Sequence, residues 1–131
     1  GIAIGYDLIF PEVCRNLCLN GADIIFVPSA WGFEDNEIMW EEVWDRSLHQ
    51  RALENVLFTI GVNRVGKEGN MYFRGMSKIY NPKGELAAEL SRCEEQVKVM
   101  EIDVADVEKA RIENPFLRDR KPNLYSLVLK A

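Results

Sequence analysis

Residues 1–27 read GIAIGYDLIFPEVCRNLCLNGADIIFV, and this stretch decides the fold class because two kinds of segment alternate in it. Residues 2–6 are predicted to form a buried strand, Pro11 favours the first turn of a helix, and Asn20-Gly21 ends that helix. Residues 24–27 are continuously apolar, which is typical of a second buried strand that Pro28 stops. Because a strand–helix–strand unit of this length needs a crossover connection, we expect the two strands to be parallel neighbours.

The rest of the chain continues the α/β pattern. After a loop at 31–36, a long helix is predicted from about residue 37 to 55, because apolar residues recur there every fourth position. The elements predicted after it are a strand at 56–62, a polar turn region at 63–70, a hairpin with arms at 75–80 and 86–90, a half-exposed strand at 97–102 and a short helix to about 112. The sequence therefore predicts an α/β fold with helices on a mixed sheet.

The composition excludes several classes of function. The 131 residues suit one domain, and the formal net charge of −5 argues against a nucleic-acid partner. No window approaches the roughly 18 consecutive apolar residues of a membrane span, and there is no signal-peptide pattern. The three cysteines have no framework spacing, which indicates a reducing, cytoplasmic compartment. The single histidine has no partner motif, so we predict neither a metal nor another cofactor.

The corner between the first strand and the first helix raises a question about chemistry. A strand that turns sharply into a helix is a common position for a nucleophile, but the residue here is Gly5, which has no side chain. In one interpretation the corner is catalytic and has lost its reactive atom. In the other, Gly5 only permits a tight strand end or close packing.

Residues 4–31, IGYDLIFPEVCRNLCLNGADIIFVPSAW, resemble the nucleophile segment of the nitrilase (carbon–nitrogen hydrolase) superfamily. That segment commonly reads I-C-Y-D-x-R-F-P-E, followed by a helix, G-A-D and an apolar strand ending in P-x-A. Further similar segments follow in order: RALENVLFTIGVNRVG at 51–66, GMSKIYNPKGELAAE at 75–89, EIDVADVEKAR at 101–111 and LRDRKPNLY at 117–125. The resemblance therefore covers nearly the whole chain.

The resemblance implies a four-layer α-β-β-α sandwich of which this chain is the C-terminal portion, with a core at 1–113 and an extended tail at 114–131. In the family a cysteine thiolate attacks a small amide, nitrile or carbamoyl compound, a glutamate acts as general base, and a lysine holds the tetrahedral anion. A thioester forms and water cleaves it, without a metal. The resemblance also implies a homodimer or a higher homo-oligomer.

The resemblance places Gly5 where the family has its cysteine. It also implies that the backbone N–H of Tyr6 stabilises the oxyanion. Glu54, Asn55 and Asn63 resemble family positions near the substrate pocket, and Trp31 follows a strand end, where α/β clefts form. Each of the four also suits ordinary packing or buried hydrogen bonding. The family's glutamate and lysine precede the segment present here, and Ile9 replaces a frequent arginine. We therefore expect this chain alone to be inactive, and two further hypotheses are a non-catalytic binding module and a truncated chain that folds poorly.

Overall fold

The computed structural model describes residues 1–34 and 39–124. The elements are helices α1 (Pro11–Leu19), α2 (Met39–Asn55) and α3 (Ala105–Glu113), and strands β1 (Ile24–Ser29), β2 (Gly32–Phe33), β3 (Phe58–Asn63), β4 (Val65–Glu68), β5 (Met71–Arg74), β6 (Lys78–Tyr80) and β7 (Leu86–Glu89). Two 3-10 turns span Gly5–Ile9 and Pro122–Leu124. The predicted start of the long helix at residue 37 and the apolar end of the tail at 127–129 lie outside the described residues.

The strands form two sheets, one mixed and one antiparallel. The larger sheet has the order β1-β3-β6-β7, in which β1 and β3 are parallel and the other neighbours are antiparallel. The smaller sheet has the order β2-β5-β4 and is antiparallel throughout. The predicted α/β class, with a mixed sheet and flanking helices, is confirmed.

Helices α1 and α2 cover one face of the mixed sheet. Trp44 and Leu48 of α2 are almost completely buried there, and so is Cys14 of α1. Gly61 of β3 lies directly beneath α2, since a Cβ at this position would come within 2.5 Å of Leu48 Cδ1. The glycine therefore permits a close approach of helix to sheet, which a larger residue would prevent.

The prediction of a strand at 2–6 is wrong. Ile2 forms a single parallel bridge with Phe26, and the segment does not continue as a strand. Phe26 N–H donates to Gly1 O, and Ala3 N–H donates to Phe26 O, both at 3.0 Å. Continuing this ladder requires a donor two residues after Phe26, and Pro28 has no N–H. The first segment therefore leaves the sheet and enters the 3-10 turn at Gly5.

Three other predictions are also corrected. Strand β1 runs through Pro28 to Ser29, because its other edge is paired with β3 along its whole length. The polar region at 63–70 contains strand β4, whose backbone pairing with β5 overrides its polar composition. Residues 97–102 form no strand, and Val97 and Val99 are 96% and 94% exposed, because no described segment pairs with them.

Candidate active site

The corner between the first segment and α1 is built around an unusual backbone conformation. Gly5 begins the 3-10 turn with φ of +49°, in the left-handed region that residues with a Cβ rarely adopt. The Asp7 carboxylate braces the turn by accepting a hydrogen bond from Ile4 N–H at 3.0 Å, while Asp7 N–H donates to Ile4 O at 3.0 Å. A residue with a Cβ would be strained in this conformation, and positions of that kind cluster at functional sites when the surroundings hold them in place.

Gly5 opens onto a cleft of about 240 Å³, called the corner cleft below, that is lined by Gly5, Tyr6, Ser29, Trp31, Gly32 and Trp40. The Tyr6 ring stacks on Trp31 with a centroid separation of 6.2 Å and an interplanar angle of 25°. Trp31 is fixed from below, because its indole N–H donates to Trp40 O at 3.0 Å. The cleft is therefore a mainly aromatic recess beside the corner.

The floor of the cleft has room for a side chain at position 5. A Cβ built on Gly5 would lie 3.5 Å from Ser29 Oγ, and among the described residues beyond 4–6 no other atom lies within 4 Å of it. The Ser29 hydroxyl is itself shielded from solvent and has no hydrogen-bond partner among the described residues. Leaving such a group unsatisfied costs roughly 1–3 kcal/mol. The corner thus combines open space with an unused polar group.

Arg51 of α2 holds the far end of the same turn. Its guanidinium donates from Nε to Leu8 O at 3.1 Å and from Nη2 to Ile9 O at 2.9 Å. Nη1 pairs with Glu54 Oε1 at 2.9 Å, and only 9% of the Arg51 side chain is exposed. Arg51 begins the R-A-x-E-N segment on which the resemblance rests, but nothing in the sequence indicates its contact with the corner turn.

The structure brings together only some of the residues that the sequence singled out. Gly5, Tyr6 and Trp31 line the corner cleft, and Asn63 holds Trp31, accepting from its N–H at 2.7 Å and donating to its carbonyl oxygen at 3.1 Å. Glu54 and Asn55 do not line the cleft.

Glu54 and Asn55 lie instead at the end of α2. Glu54 pairs with Arg51, and Asn55 is fully buried and donates to Arg51 O at 2.9 Å. Sequence reasoning missed Ser29 and Trp40 as cleft residues. Their signals were weak, since Ser29 only follows Pro28 at a strand end and Trp40 resembles an ordinary core residue.

No cysteine is among the described residues that line the corner cleft. Cys14 is buried in the core, and its burial raises the pKa of the thiol to about 11, against a smaller opposing effect of Arg51. Burial likewise raises the pKa of Cys18, whereas Cys93 is exposed. A protonated, buried thiol is a poor nucleophile.

The described residues also limit what else the chain can form. In residues 1–34 and 39–124 there is no group of three or more metal-ligating side chains arranged to hold an ion. Within the same ranges, none of the helices has the length and apolarity needed to cross a membrane.

Comparison with known proteins places this geometry in a family. Residues 1–112 match the family model described as carbon-nitrogen hydrolase. The chain is 37% identical to the N-carbamoylputrescine amidase of Solanum tuberosum, covering 98% of this chain and 46% of the relative. It is 39% identical to a nitrilase of Pyrococcus abyssi, covering 95% and 45%.

Comparison with solved structures also finds carbon–nitrogen hydrolases. A carbon–nitrogen hydrolase from Helicobacter pylori has a TM-score of 0.87 to this chain at 34% identity, covering 92% of this chain and 45% of that one. This chain spans slightly less than half the length of the relatives it matches. The family match over 1–112 and the similarity of fold together show that the chain belongs to the carbon–nitrogen hydrolase family.

Proposed function

We propose that this chain is the C-terminal portion of one carbon–nitrogen hydrolase domain, with a core at 1–113 and a tail at 114–131. The parent domain hydrolyses a small amide, nitrile or carbamoyl compound. Two observations support this: the relatives are named as an amidase and a nitrilase, and each is about twice as long as this chain. The second face of the mixed sheet is only partly covered, since Phe26 and Val62 are 45% and 55% exposed there, which fits a sandwich whose second sheet lies outside this chain.

Gly5 occupies the position of the catalytic thiol in this proposal. The observation that carries it is the corner itself: φ of +49°, an opening to the cleft, and room for a Cβ. A thiolate at this position attacks the substrate carbon and forms a C–S bond, and the C–N bond of an amide breaks as its nitrogen takes a proton and leaves. Water then cleaves the thioester to the acid and the free thiol. The backbone N–H of Tyr6 is proposed to stabilise the oxyanion.

The remaining residues have supporting roles in the same proposal. Trp31 forms a wall for the substrate, and Asn63 positions Trp31 through its backbone. Glu54 acts through Arg51 on the corner turn, and Asn55 fixes the end of α2. We further propose a cytoplasmic homodimer or higher homo-oligomer, since the three free cysteines suit a reducing compartment.

A chimera tests the proposal. The part of the Helicobacter pylori hydrolase that this chain does not match is joined before Gly1, and ammonia release from simple amides and nitriles is measured. We expect turnover from the chimera carrying Gly5→Cys, and none from the Gly5 chimera or from this chain alone. Turnover by the chain alone, blocked by a thiol reagent, would contradict the assignment of Gly5. A folded but inactive Gly5→Cys chimera would contradict the hydrolase proposal.

The second candidate function is a non-catalytic member of the family that acts as a binding module. The observation in its favour is that Gly5 offers no nucleophilic atom beside a formed cleft. This candidate predicts that the folded Gly5→Cys chimera binds amides without turning them over. The two candidates therefore give opposite results in the same ammonia assay.

A further inference from the structure

All three tryptophans of this chain meet at one ring, and an exposed tyrosine lies against the same ring. The ring centroid of Trp31 is 5.9 Å from that of Trp40 and 5.8 Å from that of Trp44. Tyr6 stacks on Trp31 at 6.2 Å. These separations lie within the range of about 4.5–7 Å that is usual for aromatic rings in contact. The four rings, called the aromatic cluster below, therefore form one continuous set.

The aromatic cluster runs from the interior of the chain to its surface. Trp44 is 1% exposed, Trp31 is 9% exposed and Tyr6 is 60% exposed. Tryptophan and tyrosine are the aromatic side chains most easily oxidised by one electron, and an electron passes readily between rings in contact. An electron taken from Trp40 or Trp44 can therefore be replaced from Trp31, and an electron taken from Trp31 can be replaced from Tyr6.

The hydrogen bonds of the cluster decide where the oxidation stops. The indole N–H of Trp44 donates to Met76 O at 2.9 Å, and that of Trp31 donates to Trp40 O at 3.0 Å. A peptide carbonyl accepts a hydrogen bond but is too weak a base to take the proton, so an oxidised ring here stays a radical cation that still draws an electron from its neighbour. Tyr6 differs because it is exposed, and its phenolic proton leaves to water. The loss of this proton traps the oxidation on Tyr6.

We propose that the aromatic cluster carries oxidising equivalents from the buried tryptophans to Tyr6. A one-electron oxidant takes an electron from a tryptophan, Trp31 supplies an electron to the oxidised ring, and Tyr6 supplies one to Trp31. Tyr6 loses its O–H proton to water in the last step, so the net products are the reduced oxidant, a hydrated proton and a tyrosyl radical at the surface. There a soluble hydrogen-atom donor such as ascorbate restores the phenol. This function is separate from hydrolysis, since none of its steps uses Gly5 or an amide.

Pulse radiolysis of this chain tests the proposal. The azide radical is generated in solution and oxidises tryptophan rings, and the tryptophan and tyrosyl radicals are then followed by their separate absorption bands. We expect the tryptophan radical to decay while the tyrosyl radical grows at the same rate, independently of protein concentration. Tyr6→Phe should lose this growth and leave a longer-lived tryptophan radical, because phenylalanine keeps the ring but is not oxidised by a tryptophan radical.

Tyr72→Phe is the matched control. Tyr72 lies on β5, where Lys67 Nζ is 4.6 Å from its ring centroid and donates to its hydroxyl, and its replacement should leave the growth of the tyrosyl radical unaltered. Tyr80→Phe tests the remaining described tyrosine, whose O–H donates to the Asp45 carboxylate at 2.6 Å and so has a base beside it. Loss of the growth in Tyr80→Phe but not in Tyr6→Phe would overturn the proposal.

Trp31→Phe tests the path rather than its end. It replaces the ring that contacts the other three, so the tryptophan radical should persist and the growth of the tyrosyl radical should be lost although Tyr6 is intact. Growth that survives in folded Trp31→Phe, or equal kinetics of Tyr6→Phe and the parent chain, would overturn the proposal. Circular dichroism checks that each variant is folded, and Tyr6→Phe decides the question if Trp31→Phe is not. The ammonia assay of the chimera is independent of all these outcomes.

Discussion

The two faces of the mixed sheet differ in how completely this chain covers them. Along β1, Ile25 and Val27 point under the helices and are fully buried, whereas Phe26 between them is 45% exposed. On β3, Val62 repeats the pattern of Phe26 and is 55% exposed. A sheet with one solvated face alternates apolar and polar residues, but β1 is apolar on both faces, as strands are in sheets that are covered on both sides. The comparison teaches that this sequence specifies two packed faces, and that it covers the second only near Phe58, which is 3% exposed on the same face of β3 as Val62.

The largest predicted effect concerns the covered face. Leu48 is fully buried between α2 and the sheet, and truncation leaves a cavity that the surrounding helix and strands cannot close. We expect Leu48→Ala to lower the free energy of unfolding by about 3–4 kcal/mol. Urea unfolding followed by circular dichroism measures this change.

Phe26→Ala is the matched substitution on the second face. Because this side chain is already 45% exposed in the chain alone, its loss should lower the free energy of unfolding by about 1 kcal/mol or less. A loss as large as that of Leu48→Ala would mean that the second face is covered in solution, for example by another copy. Sedimentation of the same samples distinguishes that case, since self-association depends on protein concentration.

The second prediction concerns Arg51 of α2, whose hydrogen bonds to Leu8 O and Ile9 O join this helix to the 3-10 turn at the corner. Arg51→Met leaves the Leu8 and Ile9 carbonyls and the Glu54 carboxylate without their buried donor. We expect it to lower the free energy of unfolding by about 2–3 kcal/mol, again measured with urea.

Arg46→Met is the control for Arg51→Met. Arg46 lies on the same helix and pairs with Glu42 at 2.7 Å, but 77% of its side chain is exposed. Its replacement should change the free energy of unfolding by no more than about 0.5 kcal/mol, because exposed ion pairs contribute little. Similar effects of the two substitutions would mean that the guanidinium of Arg51 is not a buried clamp.

Local signals predicted those elements whose ends are encoded by nearby residues. Helix α1 spans Pro11–Leu19 as expected, because Pro11 starts it and Asn20-Gly21 ends it. The β6–β7 hairpin follows from a turn-rich tetrad in the same way. Elements that depend on a distant partner were predicted poorly. Residues 97–102 have the alternation of a strand but find no neighbour among the described residues.

The site shows the same division between local and distant information. Gly5, Tyr6 and Trp31 were found because they belong to one local segment that resembles a known family, and the structure puts all three in one cleft. Ser29 and Arg51 carry no local signal. Ser29 lines the same cleft as Gly5, which lies 24 positions away in the sequence, and Arg51 donates to Leu8 O, which lies 43 positions away. Only the folded chain brings these pairs together.

The last prediction tests how well α1 seals the covered face, through the dependence of stability on pH. Burial raises the pKa of the Cys14 thiol from 9.0 to about 11. The folded chain therefore holds this proton more tightly than the unfolded chain does. The resulting stabilisation is fully present below pH 9 and is lost as the pH rises from 9 to 11, which amounts to at most about 3 kcal/mol.

Cys14→Ala removes this dependence and also some packing, so the informative quantity is the change in unfolding free energy between pH 8 and pH 11. We expect that change to be smaller in Cys14→Ala than in the parent chain, while Cys93→Ala, at an exposed thiol, leaves it unaltered. The pKa values of Cys18 and Tyr80 are also raised by burial, but both groups are present in every variant and cancel in the comparison. An equal fall in stability with and without Cys14 would mean that water reaches the thiol, and that the helix-covered face is less well sealed than its packing indicates.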